Sequence, residues 1–404
     1  MSAAPPIAVP DLTIPEPGST TARVVLSRAM GRLLRELGGL PRHAPPGARE
    51  EAAALARLSR AALTDAPGAL MSALRRPTVG GLMRCLRSDR IPRREALFVE
   101  LTAQLAFELA LAGALEAPVR LLRAPERLLS LPARLALGIA PGLRAVVFDN
   151  GSVTVEHAAG PARVDLAAPI SSGPLTVSRP YHPIAGEILL ALVDNNPISM
   201  FEAHPDKEGN ALDLGGHPAE EWTASLGRAV ARIERHLPDL AAEMQLFVQQ
   251  IVPVGWHEQR HLSASYQEII GTIYMTLHPS QMTLSEAIIH EFSHNKLNAL
   301  FELDGVLENA FAPLYTSPVR PDPRPLHGVL LAVHAFLPVA RLYERMLEAH
   351  DPEAAGEGFL QRYAAIRKIN REGAELLLRE GRPTAMGCAL FDEIARWHEH
   401  YRAI

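Results

Sequence analysis

Cysteine is nearly absent from this 404-residue chain: Cys85 and Cys388 are the only two. Neither stands in a CxxC-type spacing, which excludes a disulfide framework and a thiolate metal cluster. Lysine is almost as scarce, with Lys207, Lys296 and Lys368 the only three, so positive charge is carried by arginine. A formal net charge of −5 gives no overall nucleic-acid footprint. Aromatic residues make up 5% of the chain, and there are no internal repeats, no heptads and no Gly-rich phosphate loop. No uninterrupted apolar run is long enough to cross a bilayer: the stretch Leu101 to Leu115 carries Gln104 and Glu108 and reads as a buried helix. The first residues, MSAAPPIAVPDL, place prolines and an acid where a secretory signal needs a basic start and an apolar core, which predicts a cytoplasmic protein without a membrane partner.

What the chain does have is length for several units and a 48% hydrophobic content that can fill real cores. Residues 1–22 are Pro-rich without periodicity and predict a disordered arm. From 23 to 140, Leu and Ala recur at helical spacing between Pro and Gly breaks, predicting a helical region. From 141 to 260 the texture is mixed α/β. A hairpin is expected at Asp149, Asn150 and Gly151, further strands near 186–196 and 198–204, a helix over 220–250, then a strand. Residues 261–404 hold one more strand candidate, SYQEIIGTIYMTL, then the densest chemistry in the chain and helices to the end. The fold class expected is α+β with a mainly helical N-terminal region.

The chemistry lies in IIHEFSHNKLNAL, Ile288 to Leu300. Thr283 or Ser285 can cap a helix, and Ala287, Ile288, Phe292, Leu297, Leu300 and Leu303 form one apolar stripe along it. Four residues apart on a helix, His290 and His294 lie on one face about 6 Å apart along the axis, within reach of one metal ion. Glu291 points about 100° around the helix, placed to touch a metal-bound water rather than the metal. The plain reading, a chance His-Glu-His on a solvated helix, conflicts with the apolar setting, since buried imidazoles need partners.

Two histidines do not hold a catalytic metal, so a third ligand is needed. The extension HExxHxxGxxH is missing: Leu297 and Leu300 stand at those positions. Downstream, LHGVLLAVHAFLPVA supplies His334 in an apolar stretch, ranked first, and His327 near a helix start, ranked second. Glu302, Asp304 and Glu308 are acidic alternatives.

The runs HEFSHNKLNALFELD and RPDPRPLHGVLLAVHAFLPVARLYERM, preceded by SYQEIIGTIYMTL, resemble the α-ketoglutarate-dependent HExxH-type peptide β-hydroxylases over Ser265 to Met346, about a fifth of the chain. The resemblance implies a zincin-like sheet and helix, Fe(II) as the metal, 2-oxoglutarate as co-substrate and β-hydroxylation of a ribosomally made precursor peptide. In the residues themselves, a 2-oxo acid calls for a fixed cation to hold its far carboxylate. Arg324, Arg320 and Lys296 are the candidates, Arg324 foremost because prolines flank it. Their bland alternatives are solvation for Lys296, and a pairing with Asp322 or a helix end for the arginines. The SYQEIIGTIYMTL strand is expected either at the sheet edge above the metal, where an extended peptide adds as a further strand, or inside the sheet with no such role. Two competing functions use the same histidines or none: a zinc metallopeptidase with Glu291 as general base, and a peptide-binding protein with a degenerate site.

Overall fold

The computed structural model describes residues 11–87, 93–199, 203–204, 207–208, 210–316 and 322–404. Five helices come first: α1 (Thr21–Gly39), α2 (Arg49–Asp65), α3 (Pro67–Arg75), α4 (Pro77–Cys85) and α5 (Arg94–Leu111). Strands then run β1 (Val119–Leu121), β2 (Arg127–Ser130), β3 (Leu135–Ile139), β4 (Leu143–Asp149), β5 (Ser152–His157), β6 (Ala162–Asp165), β7 (Leu175–Ser178), β8 (Tyr181–Ala185), β9 (Ile188–Ala191), β10 (Ala203–His204) and β11 (Lys207–Glu208). After helices α6 (Ala219–His236) and α7 (Pro238–Phe247) come β12 (Gln250–Trp256), β13 (Ser263–Ala264) and β14 (Thr272–Leu277). The HExxH helix α8 (Gln281–Phe301), the short hairpin β15 (Leu314–Tyr315) and β16 (Arg324–Pro325), and helices α9 (Leu326–Glu348), α10 (Glu357–Glu380) and α11 (Ala385–Ala403) complete the chain.

A mixed five-stranded sheet, in the order β13-β14-β12-β9-β8, divides the molecule. Its three inner strands are parallel and its two edge strands antiparallel to them. Successive side chains of a strand point to opposite faces, and here both faces are buried. Ile188, Leu190, Ile251, Ile273 and Met275 enter a core built with α6, α7, α8, α9, α10 and α11. Leu189, Ala191, Val252 and Tyr274 enter a second core with the N-terminal helices and the sheets β1-β4-β5-β6 and β2-β3-β7. That double burial explains why β12 and β14 read as continuous apolar runs rather than alternating ones.

The mixed α and β content with helices leading is as expected, and so is the β4–β5 hairpin, which turns through Asn150 and Gly151 with Gly151 at φ 77°. The unit boundaries need correction. Strands begin at Val119, not after 140, and they share a core with α1–α5. A division at 260 would cut the central sheet, since β13 and β14 pair beside β12. The helix expected over 220–250 is two helices because Pro238 starts a new one. Strand SYQEIIGTIYMTL contributes only Thr272–Leu277, and that segment is inside the sheet; the edge beside it is β13.

The disordered arm is also corrected where the structure describes it. Asp11, Leu12, Thr13 and Ile14 are buried. The backbone N–H groups of Leu12, Thr13 and Ile14 all donate to the Glu393 carboxylate on α11. Proline-rich composition masked this because the anchoring comes from side chains far along the chain. Helix α9 is long and apolar enough to span a bilayer, but it is mostly buried in the first core.

Candidate metal centre

Helix α8 starts after Ser280, whose hydroxyl accepts from the Thr283 N–H at 3.2 Å; the cap is therefore Ser280, not Thr283 or Ser285. Instead of one apolar stripe, the helix is buried almost all round. Between Leu284 and Leu300 only Glu286, His290 and His294 keep partial exposure. Spaced four apart, they form a single open line on an otherwise enclosed helix.

His290 and His294 meet on this line with their Nε2 atoms 3.0 Å apart and their rings edge to face. Their ligand atoms and a Glu291 oxygen lie within 4.8 Å of one another, the one such group of three among the described residues. Burial, and for His290 also the neighbouring His294, depresses both imidazole pKa values, that of His290 well below the usual histidine range. Neutral rings are the form that binds a metal. His294 Nδ1 is buried without a hydrogen-bond partner. Two neutral nitrogens this close, on a helix held rigid by its surroundings, fit a divalent transition-metal ion.

Glu291 is buried, and its Oε1 accepts from Ser263 Oγ on the edge strand β13 at 2.7 Å, while Oε2 has no partner. One turn on, Asn295 ties the same face to the sheet: its Oδ1 accepts from Gly271 N at 2.7 Å, and its Nδ2 donates to Glu291 O at 2.9 Å. The glutamate is thereby fixed between the metal helix and the sheet edge.

The other expected residues separate. His334 Nε2 donates to the Leu12 carbonyl at 3.0 Å, and burial, with nearby Lys296, pushes its pKa down to about 3. A buried histidine does need a partner, but the N-terminal segment supplies it. His327 sits in the first turn of α9 against the Phe301 and Phe311 rings, and burial, with a smaller contribution from His294, lowers its pKa. Neither His334 nor His327 joins the His290–Glu291–His294 group within 4.8 Å. Glu302 is bound to Arg87 through two contacts of 2.7 Å, and Asp304 accepts from the Val306 N–H at 2.6 Å.

Lys296 is not a free cation. Two residues past His294 it points to another side of α8, where Nζ meets Glu243 Oε2 at 2.6 Å and reaches the Asp11 and Thr13 carbonyls at 3.4 and 3.5 Å. Arg324 Nε lies 3.3 Å from Asp322 Oδ2, the bland pairing. Arg320 lies outside the described residues. Sequence reasoning missed Arg362 on α10, whose charge lowers the His290 pKa and which grips Glu286, one turn before His290 on the open line. It also missed His261, which acts on His290 from the loop before β13. Both come from elements distant in sequence and carry no local motif. No protein-family model matches the chain, and no curated protein matches it.

Proposed function

We propose that the chain is an Fe(II)- and 2-oxoglutarate-dependent enzyme that hydroxylates a β-carbon in a ribosomally made precursor peptide. The observation that carries a metal-dependent reading is the pair of neutral imidazoles with Nε2 atoms 3.0 Å apart on the open line of α8. The resemblance of the surrounding runs supplies the choice of iron and of peptide hydroxylation. Bound iron would supply dioxygen activation coupled to oxidative decarboxylation of the 2-oxo acid. His290 and His294 would hold it. His327 replaces His334 as third-ligand candidate, because the Nε2 of His334 is engaged by the Leu12 carbonyl, while both histidines feel the charge of His294. Arg362 replaces Arg324 and Lys296 as the cation for the far carboxylate: its charge reaches the site, whereas Arg324 lies against Asp322 and Lys296 is enclosed with Glu243. To hold the co-substrate it would exchange its present partner Glu286. Edge strand β13 beside Glu291 gives an extended peptide a place to lie across the open line.

The Glu291–Ser263 contact also favours a second reading. A buried carboxylate held between the metal helix and a sheet edge is where a zinc peptidase keeps its general base. One experiment divides the two. The protein is loaded anaerobically with Fe(II), or separately with zinc, and offered candidate precursor peptides with and without 2-oxoglutarate and oxygen, with mass spectrometry as readout. A gain of about 16 Da with stoichiometric succinate, lost in His290→Ala and His294→Ala, is expected for the hydroxylase. Arg362→Ala should retain iron and weaken 2-oxoglutarate use by about 2–5 kcal/mol if the pair is shielded from solvent. Peptide cleavage by the zinc form without 2-oxoglutarate would replace this reading with the peptidase.

A further inference from the structure

The net charge of the chain conceals an asymmetry. Residues 21–87 contain 12 arginines, no lysine and four acids, a balance of +8, so the rest of the chain carries −13. Most of the buried or half-buried arginines are structural: Arg84 and Arg87 bind Glu302, Arg75 the Leu246 carbonyl and Arg76 Gln249. Two of the four acids are used, while Glu50 and Asp65 are exposed at the two ends of α2. Glu36 is taken by Arg32 and Arg87, and Glu51 by Arg123. Against this, Arg49, Arg57 and Arg60 on α2, and Arg35 on α1, are exposed and meet no carboxylate at ion-pair distance among the described residues.

Of the exposed positions on α2, Arg49, Ala53, Arg57, Arg60 and Thr64 follow helical spacing, so its three arginines form one ridge, with the exposed Glu50 beside it and Leu63 and Asp65 near its end. An apolar groove runs along each side of that ridge. The first, between α1 and α2, has a volume of about 190 Å³, with Leu34, Leu37, Pro41 and Leu63 in its walls and Arg60 at its rim. The second, between α2 and β1, has about 180 Å³, lined by Leu58 and Val119 with Arg57, Arg120 and the exposed Glu116, Arg120 being paired with Glu156. Leu63, at 49% exposure, is among the most exposed leucines of the chain.

We infer that this face of α1 and α2 is a docking surface for an acidic amphipathic peptide helix, its apolar side in the grooves and its carboxylates on the arginine ridge. A duplex nucleic acid would use the arginines but leave the apolar walls idle, whereas a helix with leucines and glutamates matches both. The natural source, on the peptide-modifying reading above, is a segment of the substrate peptide held away from the metal. Such tethering would raise the local concentration of the reacting residue at the site.

The test uses the full chain and a fluorescein-labelled 18-residue peptide with leucines on one helical face and glutamates on the other, read by fluorescence anisotropy. Wild type should bind it, and binding should weaken as salt rises from about 50 to 500 mM. The double variant Arg57→Glu/Arg60→Glu and, separately, Leu63→Ser should each weaken binding by about tenfold or more, while circular dichroism and metal content stay unchanged. The same peptide with lysine for glutamate should not bind. Equal binding by the variants, tighter binding to an 18-base-pair duplex or to phosphatidylglycerol vesicles, or self-association of the chain that the arginine reversals abolish, would each overturn the inference. Because this binding needs no metal, its loss would leave the catalytic reading standing, and a failed hydroxylation assay would leave the docking surface standing.

Discussion

Lys296 illustrates how a charge changes meaning with its direction on a helix. It is two residues past His294, yet about 200° around α8, and its ammonium is enclosed with Glu243 and two carbonyls of the N-terminal segment. Replacing one partner of such a pair strands the other. Lys296→Met is therefore expected to lower unfolding free energy by about 3–5 kcal/mol in a denaturant titration, with any metal binding at His290 and His294 unchanged in the folded fraction. A selective loss of 2-oxoglutarate binding at unchanged stability would return Lys296 to the active site. Glu108 makes the opposite kind of statement. Fully enclosed, with Oε1 unpartnered and Oε2 accepting from Ser130 at 3.1 Å, its carboxyl is pushed up by burial to about 7. Between the unfolded value near 4.5 and 7, the folded state keeps a proton that the unfolded chain releases. Its contribution is complete below about 4.5 and disappears as pH rises through 7. Glu108→Gln should match wild type near pH 4.5 and melt higher at pH 8, by the equivalent of up to about 3 kcal/mol. Parallel melting-temperature profiles for the two proteins would refute this.

At the scale of elements, what could be read from the sequence is what local chemistry fixes. The His290–His294 spacing, the Asn150–Gly151 turn and the apolar runs of β12 and β14 each announce themselves within a few residues. What could not be read depends on partners hundreds of positions away. The segment Asp11–Ile14 looked unstructured because nothing near it supplies the Glu393 carboxylate, the Lys296 ammonium or the His334 imidazole. His334 itself looked like a metal ligand because burial tells only that a histidine has a partner, not which one. Helix α8 looked one-sided, but with the sheet, α6, α7 and α9 around it, it is covered except along Glu286, His290 and His294. Arg362 and His261 were invisible for the same reason as the clamp: a site's outer residues carry no spacing of their own.

At the scale of the whole molecule, one sheet serves two cores, so damage to either should be felt by both. Ile251 feeds the core with the metal helix and Val252 the core with the N-terminal helices. Ile251→Ala and Val252→Ala are each expected to shift one cooperative unfolding transition, by about 2–5 and 1–3 kcal/mol respectively. Two separated transitions in calorimetry, with each substitution moving only one, would mean that the cores are independent. The carboxylate clamp on Leu12, Thr13 and Ile14 has a temporal consequence. Its acceptor, Glu393, lies about 380 residues downstream, and helix α8 reaches the same segment through Lys296. During synthesis from the N-terminus, the segment at 11–14 must wait, with its amides on water, until α11 has left the ribosome. Helix α11 is thus the one that closes residues 11–14, and the packing behind α8 is completed only once α11 is in place.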